Sequence, residues 1–96
     1  MNAPRQDVTV SHNSAESRFE AIVDGHLCVA DYHMRGGEMV MTHTFVPPEL
    51  RGRGIAEKLV RTVLEHGKTN KLRVVPACSY VDIYIQRHAE YQPLLE

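Results

Sequence analysis

The sequence lacks the residues that usually mark a metal centre, a disulfide framework or a membrane-spanning segment. Among its 96 residues there is no tryptophan, and two are cysteines, Cys28 and Cys78. Neither cysteine lies in a Cys-x-x-Cys pair and the histidines show no His-x-x-x-His spacing, so we expect no disulfide framework and no metal site. No apolar run approaches membrane-spanning length and the first residues form no signal-peptide core, which predicts a soluble cytoplasmic protein with no membrane partner.

The charges of the chain are nearly balanced and mixed along its length. Eleven Lys and Arg residues face twelve Asp and Glu residues, for a formal net charge of −1. No basic tract indicates nucleic acid binding, and there is no acidic tail. We assign residues 1–96 to a single domain with a modest core, of which residues 1–6 are expected to form a disordered terminus.

The first half of the chain is predicted to form an antiparallel meander. Val8 and Val10 alternate with polar residues, which indicates a short first strand. Longer strands are expected at residues 18–23, 27–34 and 38–46. Asp24-Gly25 between two of them is a dipeptide suited to a tight hairpin, because both positions tolerate positive φ.

The second half changes to a helical period. Pro47-Pro48 ends the fourth strand, and an apolar stripe predicts a helix from residue 52 or 53 to 66, with Gly67 as its left-handed cap. A strand at residues 72–75 follows by a parallel crossover. Ser79 and Asp82 fit a capping box for a helix to about residue 88, and the tail is expected to pack through Tyr91, Leu94 and Leu95. The fold class is therefore α+β, with a mixed, mostly antiparallel sheet and the order β-β-β-β-α-β-α.

The turn between the fourth strand and the first helix is the most informative segment. Gly52 and Gly54 stand where backbone N–H groups can approach a ligand closely, and a helix N-terminus favours an anion such as phosphate. The run Arg51-Gly52-Arg53-Gly54-Ile55-Ala56 resembles the acyl-CoA signature of the GNAT acetyltransferases: Arg or Gln, two variable residues, Gly, one variable residue, then Gly or Ala. The resemblance extends over roughly residues 19–95 and is greatest to the compact, YjdJ-like branch, without the helices that usually separate the first two strands.

This resemblance implies a site for acetyl-CoA without a metal. The backbone of the loop would bind the pyrophosphate, Arg51 and Arg53 would add charge, and Lys58 or Arg61 would reach the ribose phosphate. The fourth strand would carry a bulge or splay and pair with the pantetheine arm, and a backbone N–H near Phe45 or Val46 would polarise the thioester carbonyl. The implied cofactor-binding residues are Phe45, Val46, Arg51, Gly52, Arg53, Gly54, Ile55 and Ala56.

The candidate catalytic residues are His43, Cys78 and Tyr84. His43 is a candidate general base, although its phase with Met39 and Met41 places it on the more apolar face, where a structural histidine is common. Cys78 precedes the second helix, and a thiol at a helix N-terminus becomes more nucleophilic, so Cys78 could carry the acetyl group. The alternative is that Cys78 is a small apolar residue of the structure. Tyr84, with Tyr80 as the alternative, would protonate the leaving thiolate, or pack in the core. Glu38 is a further candidate for the general base, although its position after two glycines favours a solvated residue at the end of a strand.

The favoured function is an acetyl-CoA-dependent N-acetyltransferase with direct transfer to a primary amine. The acceptor is unknown; without the N-terminal helices its site should be shallow, which favours a lysine or N-terminus of a protein. The alternative is a non-catalytic module that binds CoA or acyl-CoA. A third hypothesis is a different phosphate ligand, although the loop lacks the Gly-Lys-Ser/Thr ending of a nucleotide-binding P-loop.

Overall fold

The computed structural model describes residues 8–96, so the predicted disordered terminus at residues 1–6 lies outside the described residues. The strands are β1 (Ser11–Asn13), β2 (Arg18–Val23), β3 (His26–Arg35), β4 (Glu38–Phe45) and β5 (Arg73–Pro76). The two α-helices are α1 (Ile55–Thr69) and α2 (Ser79–Arg87), and short 3-10 helices span Ser14–Glu16, Pro48–Leu50 and Ala89–Leu95.

The five strands form one sheet in sequence order, which confirms the predicted α+β class. All neighbours are antiparallel except β4 and β5, which pair in parallel across the α1 crossover. Asp24 (φ 50°) and Gly25 (φ 78°) both adopt positive φ in the β2–β3 hairpin, as a tight right-twisted turn requires. The sequence predicts the first strand around Val8 and Val10, whereas the structure has it at Ser11–Asn13. Val8 and Val10 precede this strand and pack, partly buried, against the core.

Helix α1 begins and ends later than predicted. Gly54 has φ 78°, a left-handed conformation that an α-helix cannot include, so the first helical residue is Ile55. Gly67 is not a cap: it lies buried inside the helix, where a Cβ would stand 3.5 Å from a methyl carbon of Val74. The chain instead leaves the helix through Asn70 and takes the left-handed conformation at Lys71, with φ 56°.

Helix α2 occupies the predicted position, but the capping box is wrong. Ser79 is the first helical residue, and Cys78 at the N-cap makes no side-chain capping bond. In the tail, Tyr91 is buried and its hydroxyl donates to Glu65 at 2.7 Å, which fixes the tail against α1. Leu94 is also buried, whereas Leu95 is 40% exposed, so only part of the predicted tail packing is found.

One face of the sheet carries the core. Buried side chains from the strands, both α-helices and the tail belong to a single cluster, and in α1 the contributing residues are Ile55, Leu59, Val60, Val63 and Leu64. On the other face, Ile22 and Leu27 lie opposite each other across the β2–β3 pair and are 73% and 41% exposed. This open face borders the site described next.

Candidate active site

A wedge opens in the sheet between β4 and β5. The parallel pairing runs from Glu38 opposite Arg73 to Met41 opposite Pro76 and stops there, while β4 continues to Phe45 paired with β3. Beyond the last pair, Cys78 Sγ lies 3.8 Å from Thr44 Oγ1. Among residues 8–96, no strand pairs with the β5 side of this outer part of β4.

A β-bulge at Thr42 changes which side chains of β4 face the core. The β3–β4 register shifts so that Asp31 lies opposite His43 and Tyr32 opposite Met41, with Thr42 as the extra residue. His43 is therefore exposed and stacks with Phe45, their ring centroids 6.3 Å apart. The expectation that His43 shares the apolar face of Met41 is wrong, because the bulge reverses the alternation after Met41.

The loop between β4 and α1 is held by its own side chains. Arg51 Nε donates to the carbonyl oxygen of Val46 at 3.0 Å, and the buried Leu50 fixes the 3-10 turn between them. Gly52 and Gly54 have φ values of 85° and 78°, in the left-handed region that strongly favours glycine. The first helical hydrogen bond runs from Lys58 N–H to the carbonyl oxygen of Gly54 at 3.1 Å.

The N-terminus of α1 presents donors to the outside of the loop. Because the helical hydrogen bonds begin at Lys58, the N–H groups of Ile55 and Ala56 have no acceptor within the helix. The partial positive charge of the helix end adds to these donors, and the helix of 15 residues is long enough to develop it. A Cβ on Gly52 would meet no atom within 4 Å, so the loop is open on its outer side.

A cavity of about 520 Å³ joins the loop to the wedge. Of the predicted cofactor-binding residues, those that line it are Val46, Arg51, Gly52, Gly54, Ile55 and Ala56, while Phe45 and Arg53 do not. The remaining lining residues are Thr44, Leu50, Glu57 and Tyr80. The structure therefore brings together most of the predicted set and adds Thr44, whose neighbour in the wedge is Cys78.

The two tyrosines of α2 lie in different surroundings. Tyr80, in the first turn, is 41% exposed and faces the cavity; burial and the Glu57 carboxylate raise the pKa of its phenol. Tyr84 is buried, stacks on His88 at 3.9 Å between ring centroids, and does not line the cavity. The sequence indicates that Tyr80 lies in the first turn of the helix after the fifth strand. The structure adds that this turn lies beside the start of α1, so that both line the cavity.

The two thiols also differ. Cys78 is partly exposed at the N-cap of α2, and its sulfur adjoins the wedge rather than the cavity lining. Cys28 is fully buried in the core, where burial raises the pKa of its thiol and keeps it protonated. Glu38 stands at the opposite end of β4, paired with Arg35 at 2.8 Å, away from the cavity.

Across residues 8–96, no three His, Cys, Asp or Glu side chains are grouped as metal ligands would be. In the same part of the chain, neither α-helix has the length and apolar character needed to cross a membrane.

Comparison with known proteins agrees with this geometry. A sequence model of the GCN5-related N-acetyltransferase family matches residues 18–94. Protein NATD1 of Xenopus tropicalis is 27% identical over 88 residues, covering 88% of this chain and 81% of the relative. A GCN5-like protein from Staphylococcus aureus, whose structure was determined in solution, superposes with a TM-score of 0.70 at 25% identity, covering 96% of this chain and 89% of that one. Since the family match includes the loop, the bulged strand and both sides of the wedge, the chain belongs to the GCN5-related N-acetyltransferase family.

Proposed function

We propose that the protein is an acetyl-CoA-dependent N-acetyltransferase that transfers the acetyl group directly to a primary amine. One observation carries the proposal: a single cavity connects the glycine-rich N-terminus of α1 to the wedge between β4 and β5. The N-terminus of α1 supplies the N–H donors that a pyrophosphate requires. At the wedge, the edge of β4 is available for pairing with an extended thioester arm. A cosubstrate with phosphates at one end and a thioester at the other fits both.

In this proposal the loop binds the phosphates and β4 binds the arm. The N–H groups of Ile55 and Ala56 donate to the pyrophosphate, and Lys58 and Arg61 on the following turns supply charge for the ribose phosphate. The pantetheine arm runs along β4 from Val46 towards Thr44, with backbone N–H groups near Phe45 and Val46 stabilising the oxyanion.

The amine approaches from the open face of the sheet. His43 is exposed on that face, opposite Asp31, and takes the proton that the ammonium group must lose. The amine nitrogen attacks the thioester carbonyl carbon, the carbon–sulfur bond breaks, and Tyr80 gives its proton to the thiolate. The nitrogen loses its second proton to solvent as the amide forms, and the Tyr80 phenolate takes a proton back from solvent. Tyr80 suits this role better than Tyr84, because Tyr84 is buried against His88. Cys78 beside Thr44 remains the candidate for a covalent relay.

The acceptor is assigned to a macromolecule, a lysine or N-terminus of a protein. The face around His43 is formed by strands, and its apolar side chains Ile22, Leu27 and Phe45 are exposed rather than enclosed in a pocket. A small amine would make few contacts there, whereas a protein surface could cover the whole face.

The second candidate is a non-catalytic module that binds CoA or acyl-CoA. The same open face favours it, since a cosubstrate site can exist without an acceptor site. Turnover distinguishes the two, because only the enzyme releases CoA when an amine is added.

The first experiment is a calorimetric titration of the purified protein with acetyl-CoA, with ATP as the control ligand. We expect saturable binding of acetyl-CoA and none of ATP. CoA release is then measured over a panel of amines that includes lysine-containing peptides and intact proteins. Absence of acetyl-CoA binding by the folded protein would contradict both candidates; binding without release across the panel would favour the module.

A further inference from the structure

The tip of the β2–β3 hairpin contacts the loop that precedes α1. Arg53 Nη1 lies 2.8 Å from Asp24 Oδ2, an ion pair between residues 29 positions apart in the chain. A second contact joins the same two segments, with His26 Nε2 3.9 Å from Glu49 Oε2. The hairpin is thus attached to the loop on both sides of Arg51.

The first of these contacts holds a cation of the cofactor loop away from the cavity. Arg53 stands between Gly52 and Gly54, yet it is absent from the cavity lining, while both glycines are part of it. A guanidinium binds carboxylate and phosphate in the same geometry, so Asp24 takes the position that a ligand phosphate would otherwise take.

We propose that Asp24 is a positioning residue that competes with the phosphates of the bound cosubstrate for Arg53. In the free protein Asp24 holds Arg53 against the hairpin; when acetyl-CoA binds, Arg53 turns to the pyrophosphate. This inference rests on the proposed function, because it requires a phosphate ligand in the loop. It assigns Asp24 the role of lowering affinity, opposite to that of a residue that merely fixes the loop.

The local structure suits such an exchange. Both side chains are partly solvated, at 42% exposure for Arg53 and 54% for Asp24, so the pair is weak enough for a doubly charged ligand to displace. Asp24 belongs to a tight turn with φ 50°, which fixes its backbone, whereas the long side chain of Arg53 can move. The moving partner is therefore the arginine.

The variant Asp24→Asn tests the competition without disturbing the fold. Asparagine has the same shape and accepts a left-handed conformation at least as well as aspartate, so the hairpin is retained. The matched control is Glu49→Gln, which removes one negative charge from the same loop region but pairs with His26 rather than Arg53. Thermal unfolding midpoints of all three proteins are measured first and should agree.

Calorimetry with acetyl-CoA at several salt concentrations then measures the effect. We expect Asp24→Asn to bind about fivefold more tightly at low salt, the equivalent of one exposed ion pair, with a steeper salt dependence. Glu49→Gln should stay within about twofold of the wild type. Equal or weaker binding by Asp24→Asn, or equal tightening by Glu49→Gln, overturns the inference alone. No binding of acetyl-CoA by the folded wild type overturns the inference together with the proposed function.

Discussion

The backbone N–H of Cys78 donates to the carbonyl oxygen of Met41 at 3.0 Å, and this is where β4 and the chain leaving β5 last share a backbone hydrogen bond in the described part of the sheet. The bond closes the inner end of the wedge, one residue before the bulge at Thr42. This hydrogen bond therefore also places the Cys78 thiol at the inner end of the wedge, and α2 begins at the next residue, Ser79. Through this bond the position of α2, and of Tyr80 in its first turn, is set by β4.

Replacement of Gly54 by valine should abolish acetyl-CoA binding. Gly54 has φ 78°, which a β-branched residue adopts only with strain, and a side chain there would block the approach to the N–H groups of α1. The matched control is Gly36→Val in the β3–β4 turn, where φ is 60° and the cavity is at the other end of β4. Both variants should lose about 1–3 kcal/mol of stability, and calorimetry should show lost binding for Gly54→Val alone. Unchanged affinity in folded Gly54→Val would exclude the loop as the phosphate site.

Strand β2 and the β2–β3 hairpin are predictable from the sequence because their signals are local. Residues 18–23 and the hairpin at Asp24-Gly25 were predicted as found, since alternation and turn chemistry both depend on adjacent residues. A bulge or splay in the fourth strand is implied by the family resemblance, but its place at Thr42 is not predictable from the residues themselves. The alternation through His43 is that of a regular strand, and only the pairing with β3 breaks it. The predicted cap at Gly67 is wrong for the same reason. A glycine near a helix end is typical of a cap, whereas the packing of Gly67 on Val74 depends on β5, which is distant in the sequence.

Replacement of His43 by alanine should lower turnover and leave acetyl-CoA affinity nearly unchanged. His43 is exposed on the open face and does not line the cavity, so it contributes to proton removal and not to cosubstrate binding. Loss of a general base typically costs about 10²–10⁴-fold in rate. His33→Ala, an exposed histidine on neighbouring β3, serves as the control. A fully active His43→Ala enzyme would remove His43 from the mechanism.

The two tyrosines of α2 should respond differently to replacement by phenylalanine. Tyr80→Phe removes a hydroxyl that faces the cavity and should lower kcat with little change in acetyl-CoA affinity. Tyr84→Phe removes a hydroxyl from a buried ring stacked on His88, so its kcat should match that of the wild type. Because both variants change one oxygen atom, each controls for the other. A lower kcat for Tyr84→Phe and an unchanged one for Tyr80→Phe would reverse the assignment.

Stability should fall as the pH drops below neutrality, and His12 should account for part of the fall. His12 on β1 stacks on Phe19, forms a 2.5 Å hydrogen bond with the Tyr32 hydroxyl, and lies 4.8 Å from the His66 ring. Burial, followed by the neighbouring His66, lowers the pKa of His12 below its ordinary value. The unfolded chain therefore binds a proton at a higher pH than the folded protein, so acidification through the ordinary histidine pKa favours unfolding.

The variant His12→Phe keeps the stacking but cannot titrate. Its free energy of unfolding, measured by urea denaturation between about pH 7.5 and 5.5, should decline less steeply than that of the wild type. Equal slopes for the two proteins would show that other groups cause the acid sensitivity.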